Sequence, residues 1–210
     1  MMRIESVASQ PDRAGRHTVR FDSGCVMRLY RQTIQDFGLY AGLELTEKEM
    51  ESLRQAAGAM SAKMRAIRIV AASGVSKGDL EHRLIQKGES IEHAKNAVAW
   101  MAEMNLVDDQ KTAEQIVNRC IHKGYGRSRA KQILFEKRIP KEYWEDALAD
   151  YPDQSDVIMA FLQAKLADPT DQKQMRKAID ALLRRGHSYG EIRKALDLMS
   201  FSDDDFREEF

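Results

Sequence analysis

Three stretches of the chain align without a gap: Gly74-Val75-Ser76-Lys77-Gly78-Asp79-Leu80 on to Leu84, Gly124-Tyr125-Gly126-Arg127-Ser128-Arg129-Ala130 on to Leu134, and Gly186-His187-Ser188-Tyr189-Gly190-Glu191-Ile192 on to Leu196. Upstream of each lies an apolar set at i, i+3, i+4 spacing: Ile67/Val70/Ala71, Val117/Cys120/Ile121 and Ile179/Leu182/Leu183. That spacing marks one face of a helix, and a glycine after it supplies the left-handed residue that closes a helix C-terminus. The repeated unit is therefore helix, glycine-started turn, helix. The copies begin 50 and 62 residues apart, too far for two helices alone, so a third helix is expected after the leucine of each copy. Modules of this kind cannot each bury a core and so stack on their neighbours.

The first 45 residues differ in character. Arg3-Ile4-Glu5-Ser6-Val7 and His17-Thr18-Val19-Arg20-Phe21 alternate or carry β-branched residues, and Asp22-Ser23-Gly24 is a turn signal leading into Cys25-Val26-Met27-Arg28-Leu29. These read as a small antiparallel β unit. A short helix follows over Arg31 to Phe37, ending near Gly38. Thr46-Glu47-Lys48-Glu49 has the form of a capping box. From there to about Ser73 the chain reads as one long helix, or two collinear ones, weakened at Gly58. The helix from Ser90 carries Ile91, Ala94, Ala97, Val98 and Met101 on one face, widened by Trp100 and Met104. At Leu106-Val107-Asp108-Asp109 one helix gives way to the next, with an aspartate placed to cap free amides. Ile139-Pro140 resets the chain before a helix bearing Tyr143, Trp144, Ala147 and Leu148. Asp156 to Ala167 forms a further helix, which accounts for the longer second spacing, and Asp168-Pro169-Thr170-Asp171 is a link. Phe201 to Phe210 is expected to hold a short acidic helix capped by Ser202.

The expected fold is mainly α: tandem three-helix repeats in an elongated, curved array, preceded by a small N-terminal antiparallel β unit. Its divisions are 1–45 for the β unit, 46–109 for repeat 1, 110–170 for repeat 2, and 171–210 for a curtailed repeat 3.

With 43% apolar residues over 210 positions the chain can bury a sizeable core. No run approaches the roughly 18 apolar residues of a membrane span, and the start, Met1-Met2-Arg3-Ile4-Glu5-Ser6, does not resemble a signal peptide. A cytoplasmic location is expected. Cys25 and Cys120 stand apart without zinc or redox spacing, and the five histidines fall at different phases of different elements. No nucleophile triad, phosphate loop or carboxylate pair can be read, so no catalytic residue, metal, cofactor or small-molecule substrate is expected.

A formal net charge of zero conceals strong segregation. From Gln115 to Arg138 seven bases face one acid, a balance of +6; from Ile139 to Asp171 the balance is −6; from Lys173 to Lys194 it is +5; and from Ala195 onward it is −5. Alternating blocks can be solvated faces that pair across the fold. They can equally present basic surfaces to phosphate or an acidic protein and steer association.

Leu80, Leu84, Lys87-Gly88, Ile91, Met104-Asn105-Leu106-Val107-Asp108-Asp109 with Ala113, Lys123-Gly124-Tyr125-Gly126, Ile133-Leu134 and Lys137-Arg138-Ile139 together resemble the RecX regulatory proteins, bacterial modulators of the RecA recombinase. The resemblance covers about Ala66 to Leu148 well and the third copy loosely. The first turn lacks the arginine usual in that family, Arg138 stands where a glycine is typical, and Thr112 replaces an aromatic residue. The resemblance implies tandem three-helix repeats that bind RecA filaments on single-stranded DNA and restrain RecA's ATP hydrolysis and strand exchange, with no catalytic centre.

The candidate contact residues are the bases of the second and third copies: Lys123, Arg127, Arg129 and Lys131, and Arg184, Arg185, Arg193 and Lys194. Arg127, Lys131 and either Leu134 or Phe135 are spaced to share a helix face. Two other readings stand beside this one. A helix-turn-helix regulator could read duplex DNA without RecA, although Asp79, Glu81 and Arg83 make the first copy a poor groove reader. A structural adaptor would pair its charge blocks internally.

Overall fold

The computed structural model describes residues 1–166 and 171–205. It is mostly helical, with a small N-terminal sheet, and divides into two compact units, Met1–Val107 and Asp108–Phe210.

In the first unit, β1 (Met2–Val7), β2 (Arg16–Phe21), β3 (Val26–Tyr30) and β4 (Glu44–Leu45) form an antiparallel sheet in the order β3-β2-β1-β4. The β2–β3 hairpin closes where the Phe21 amide donates to the Cys25 carbonyl at 3.0 Å, across the Asp22-Ser23-Gly24 turn. Period-two alternation puts Ile4, Val19, Phe21 and Leu29 on one buried face. α1 (Arg31–Asp36) follows β3, and α2 (Glu47–Ala72) opens on a complete capping box, with the Glu49 amide donating to Thr46 Oγ1 at 3.3 Å and the Thr46 amide to Glu49 Oε2 at 2.7 Å.

α2 serves two cores. Its Met50 and Leu53 pack under the sheet, while Ala62 and Ala66 join α3 (Lys77–Gln86) and α4 (Ile91–Glu103) around Leu80, Leu84, Ala94, Ala97 and Met101. Leu80 and Leu84 are fully buried, each contributing about 2 kcal/mol by area. α2 runs unbroken through Gly58, where the missing side chain makes room for the His93 ring of α4. The core face of α4 is narrower than its sequence pattern. Ile91 and Met104 are exposed, because Ile91 opens the helix and Met104 is its C-cap.

The second unit holds two three-helix groups. α5 (Asp109–His122), capped where Asp108 accepts from the Lys111 amide at 3.1 Å, packs with α6 (Arg127–Glu136) and α7 (Trp144–Leu148) around Val117, Cys120, Ala130, Leu134 and Leu148. Pro140 caps a single 3-10 turn, Lys141–Tyr143, that leads into α7. α8 (Ser155–Lys165) shares a core with α9 (Gln172–Arg184) and α10 (Tyr189–Asp205), built on Ile158, Leu162, Ala178, Leu182, Ile192 and Ala195. α10 is continuous to Asp205, so no separate helix starts at Ser202. The Asp168–Thr170 link and residues 206–210 lie outside the described residues.

Candidate partner-binding surface

Each repeated turn is built the same way at its second position, which points inward. Val75 and His187 are buried and Tyr125 is half-buried. At its third position the turn supplies the N-cap of the next helix. Ser76 accepts from the Asp79 amide at 2.9 Å, and Ser188 forms a capping box with Glu191, the two bonds being 3.2 and 2.6 Å. Gly126 has no side chain with which to cap α6.

The first positions differ. α5 and α9 end in Schellman closures, the Tyr125 amide donating to Cys120 O at 3.0 Å and the His187 amide to Leu182 O at 3.2 Å. Gly124 (φ +63°) and Gly186 (φ +88°) take the left-handed conformation this requires. In the first copy α2 instead ends on an extended Ser73, so Gly74 plays no such part.

The second and third turns are seated on each other. The Gly126 amide donates to the Arg185 carbonyl at 2.9 Å, and the His187 ring bonds the Gly124 carbonyl through Nε2 at 3.1 Å. A Cβ on Gly126 would lie 2.1 Å from the Gly186 carbonyl oxygen, and one on Gly186 would lie 2.3 Å from the Arg129 amide nitrogen. The backbones therefore touch in a way only glycine permits at either position. Tyr151 strengthens the seat by donating its hydroxyl to the Tyr125 carbonyl at 2.6 Å; burial pushes that phenol up to about 12.

This joint gathers part of the basic set. Lys123, Arg127, Lys131, Arg184 and Arg185 are exposed, and the bond from Gly126 to Arg185 brings the start of α6 against the end of α9. Arg129 is half-buried, its guanidinium 3.5 Å from Glu136. The Arg185 guanidinium stacks over the Phe161 ring at 4.5 Å, a contact that holds the cation in place. Arg193 and Lys194 lie further along α10, also exposed. The Asp153 carboxyl is held below its ordinary range first by bonds from Ser155 and in lesser part by the charge of Lys194. The Arg127 and Lys131 face of α6 continues to Phe135, which is exposed, and leaves out Leu134, which is buried. The joint itself had no mark in the sequence beyond the glycines.

His187 makes the joint sensitive to acid. It is 3% exposed; with Nε2–H donating to Gly124, Nδ1 has no partner among the described residues. Burial, helped by the Arg185 charge, holds its pKa below the ordinary 6.5, against the opposing pull of the Gly124 carbonyl and Glu191. The unfolded chain therefore takes up the proton first, and stability is full above pH 6.5 and falls as pH drops below it. Urea unfolding followed from pH 7.5 to 5.5 is expected to show this loss, and His187→Gln, whose amide can still donate to Gly124, is expected to flatten it. An unchanged slope in that variant would place the sensitivity elsewhere.

Among the described residues no group of three or more histidine, cysteine or acidic side chains could hold a metal ion, and no helix is long and apolar enough to cross a membrane. Burial raises the Cys120 thiol above its ordinary value, as befits a core residue rather than a nucleophile.

Helix, turn with an inward-pointing second residue, and second helix, repeated with a third helix in each group, define a modular protein of three-helix domains. Residues 108–148 match the family model described as "RecX, second three-helix domain". The "Regulatory protein RecX" of Vibrio parahaemolyticus is 31% identical over 156 residues, 72% of this chain and 98% of that one. That of Chlorobaculum tepidum is 31% identical over 66% of this chain and 88% of its own. The chain belongs to the RecX family of regulatory proteins. A solved structure described as "Crystal structure of regulatory protein RecX" shares the fold, with a TM-score of 0.65 at 19% identity over 94% of this chain and 100% of that one. RecX from Lactobacillus salivarius aligns with a TM-score of 0.56 at 20% identity, over 68% of this chain and 99% of its own.

Proposed function

We propose that this chain is a cytoplasmic regulator of RecA that binds RecA filaments on single-stranded DNA and restrains their ATP hydrolysis and strand exchange, and that it is not an enzyme. Membership of a family named for regulation supports the first part. The observation that carries the contact surface is the seat of Gly126 on Arg185, since it sets bases of two modules side by side. Lys123, Arg127, Arg129, Lys131, Arg184 and Arg185 form the main contact, with Arg193 and Lys194 extending it along α10. Small contacts made by successive modules sum along a partner that itself repeats. The joint fixes the main chain that carries these charges, so less backbone freedom is lost on binding than from the same charges on a loop.

Sedimentation of the protein with RecA filaments on single-stranded DNA tests this. Affinity is expected to fall about tenfold or more between 50 and 200 mM salt, because displaced counterions return to the phosphates. Retention by the filament that ignores salt would favour an adaptor with internally paired charges. Sequence-dependent retention on duplex DNA without RecA would favour a helix-turn-helix regulator.

A further inference from the structure

Phe135 is an unexpected surface residue. It is 70% exposed near the C-terminal end of α6, although its neighbours Ile133 and Leu134 already supply that turn's contacts to the core. It continues the line of Arg127 and Lys131 at four-residue steps, about 6 Å apart along the axis. Ser128 and Gln132 flank that line and are also exposed, so the outward face of α6 carries two cations, two neutral polar groups and one aromatic ring. The acid that follows, Glu136, is turned to Arg129.

Beside the ring opens a groove of about 570 Å³ that Glu136, Arg138, Ile139, Pro140, Lys141 and Trp144 also line. The Trp144 ring is fixed there, its indole N–H donating to the Ile139 carbonyl at 3.0 Å. Arg138 stands at φ +54°, a left-handed conformation that costs a residue with a side chain about 1 kcal/mol and a glycine nothing. The strained position thus holds a cation at the mouth of the groove.

We propose that Phe135 is a stacking platform for a base of single-stranded nucleic acid, with Arg127 and Lys131 on one side and Arg138 and Lys141 on the other taking the flanking phosphates. The inference rests on the proposed function, for which it names a point of contact with the strand. Charge decides the occupant. Arg127, Lys131, Arg138 and Lys141 outnumber Glu136, the acid that lines the groove and whose carboxylate Arg129 takes up, and Trp144 adds a second aromatic ring, an arrangement that binds bases by their faces and backbone by charge.

Fluorescence anisotropy of a labelled oligo(dT) titrated with the full chain is the test, run alongside RecA-dependent ATP hydrolysis. Because the side chain is exposed, Phe135→Ala, Phe135→Leu and Phe135→Trp are expected to fold as the parent does. Alanine and leucine should each weaken oligo(dT) binding about tenfold while tryptophan restores it, since leucine keeps the apolar bulk and loses the π face. Arg138→Gly, which relieves the backbone, should also weaken binding without loss of stability. Parental affinity in the alanine variant, or no oligo(dT) binding by the parent, overturns the proposal. If alanine and leucine spare oligo(dT) but change RecA's ATP hydrolysis, the ring is a protein contact and the proposal also fails. Phe135-dependent oligo(dT) binding by a parent that leaves RecA's ATP hydrolysis unaltered would uphold the platform and defeat the proposed function instead.

Discussion

Replacing Gly126 with alanine is expected to destabilise the Asp108–Phe210 unit by about 3 kcal/mol, seen in calorimetry as a fall of roughly 10 °C or more in its Tm. The added Cβ would run into the Gly186–His187 peptide group, 2.1 Å from its carbonyl oxygen, 2.3 Å from its carbonyl carbon and 2.5 Å from its amide nitrogen. No rotamer change relieves a clash with backbone, so the two turns must part. Parting breaks the bonds from Gly126 to Arg185 and from His187 to Gly124 and exposes polar groups that had been satisfied. Gly190 is the internal control. Nothing lies within 4 Å of a Cβ there and the residue sits inside the first turn of α10, so Gly190→Ala is expected to be neutral or to stabilise by about 0.5 kcal/mol. Equal melting of the two variants would mean that the turns are not seated together.

The second large effect is expected from Arg127→Ala with Lys131→Ala. Both side chains are exposed on one face of α6, and stability should change by less than about 1 kcal/mol. On the proposed function, the concentration of protein needed to inhibit RecA by half is expected to rise about tenfold or more, because two charges assigned to phosphate contact are lost together. Arg129→Ala is a poorer probe, since that guanidinium pairs with Glu136 and its removal mixes packing with binding. Parental potency in the double variant would move the contact surface away from α6.

Much of the fold was legible because its signals are local. The apolar sets ahead of Gly124 and Gly186, the Thr46 and Glu49 box and the Asp108 cap each act over one helical turn, and each marks the element it announces; the set ahead of Gly74 marked the wrong face, since Ile67 and Ala71 are exposed and α2 packs through Ala62 and Ala66. The β hairpin was legible from alternation around Asp22-Ser23-Gly24. β4 was not, because two residues paired to Met2 and Arg3 leave no alternation to detect. The partners of α8 were likewise hidden: its apolar face shows that it packs, not that it packs on α9 and α10.

For the candidate surface the sequence offered the bases but not their grouping. Charge blocks single out Arg127 and Arg185 equally, yet nothing in their spacing tells that Gly126 bonds the main chain of Arg185. A contact between positions some sixty residues apart leaves no period, and only the requirement for glycine at both turns hints at it. The inward place of Val75, Tyr125 and His187 was also missed, although a shared slot between the turn glycine and the helix cap was on view in all three copies.

The measurement that reaches the central claim most directly is ATP hydrolysis by RecA on single-stranded DNA, with and without this protein. Progressive inhibition as the protein is added, weakened in the Arg127 and Lys131 double variant, is the expected result. A rate that stays the same at saturating protein would contradict the account.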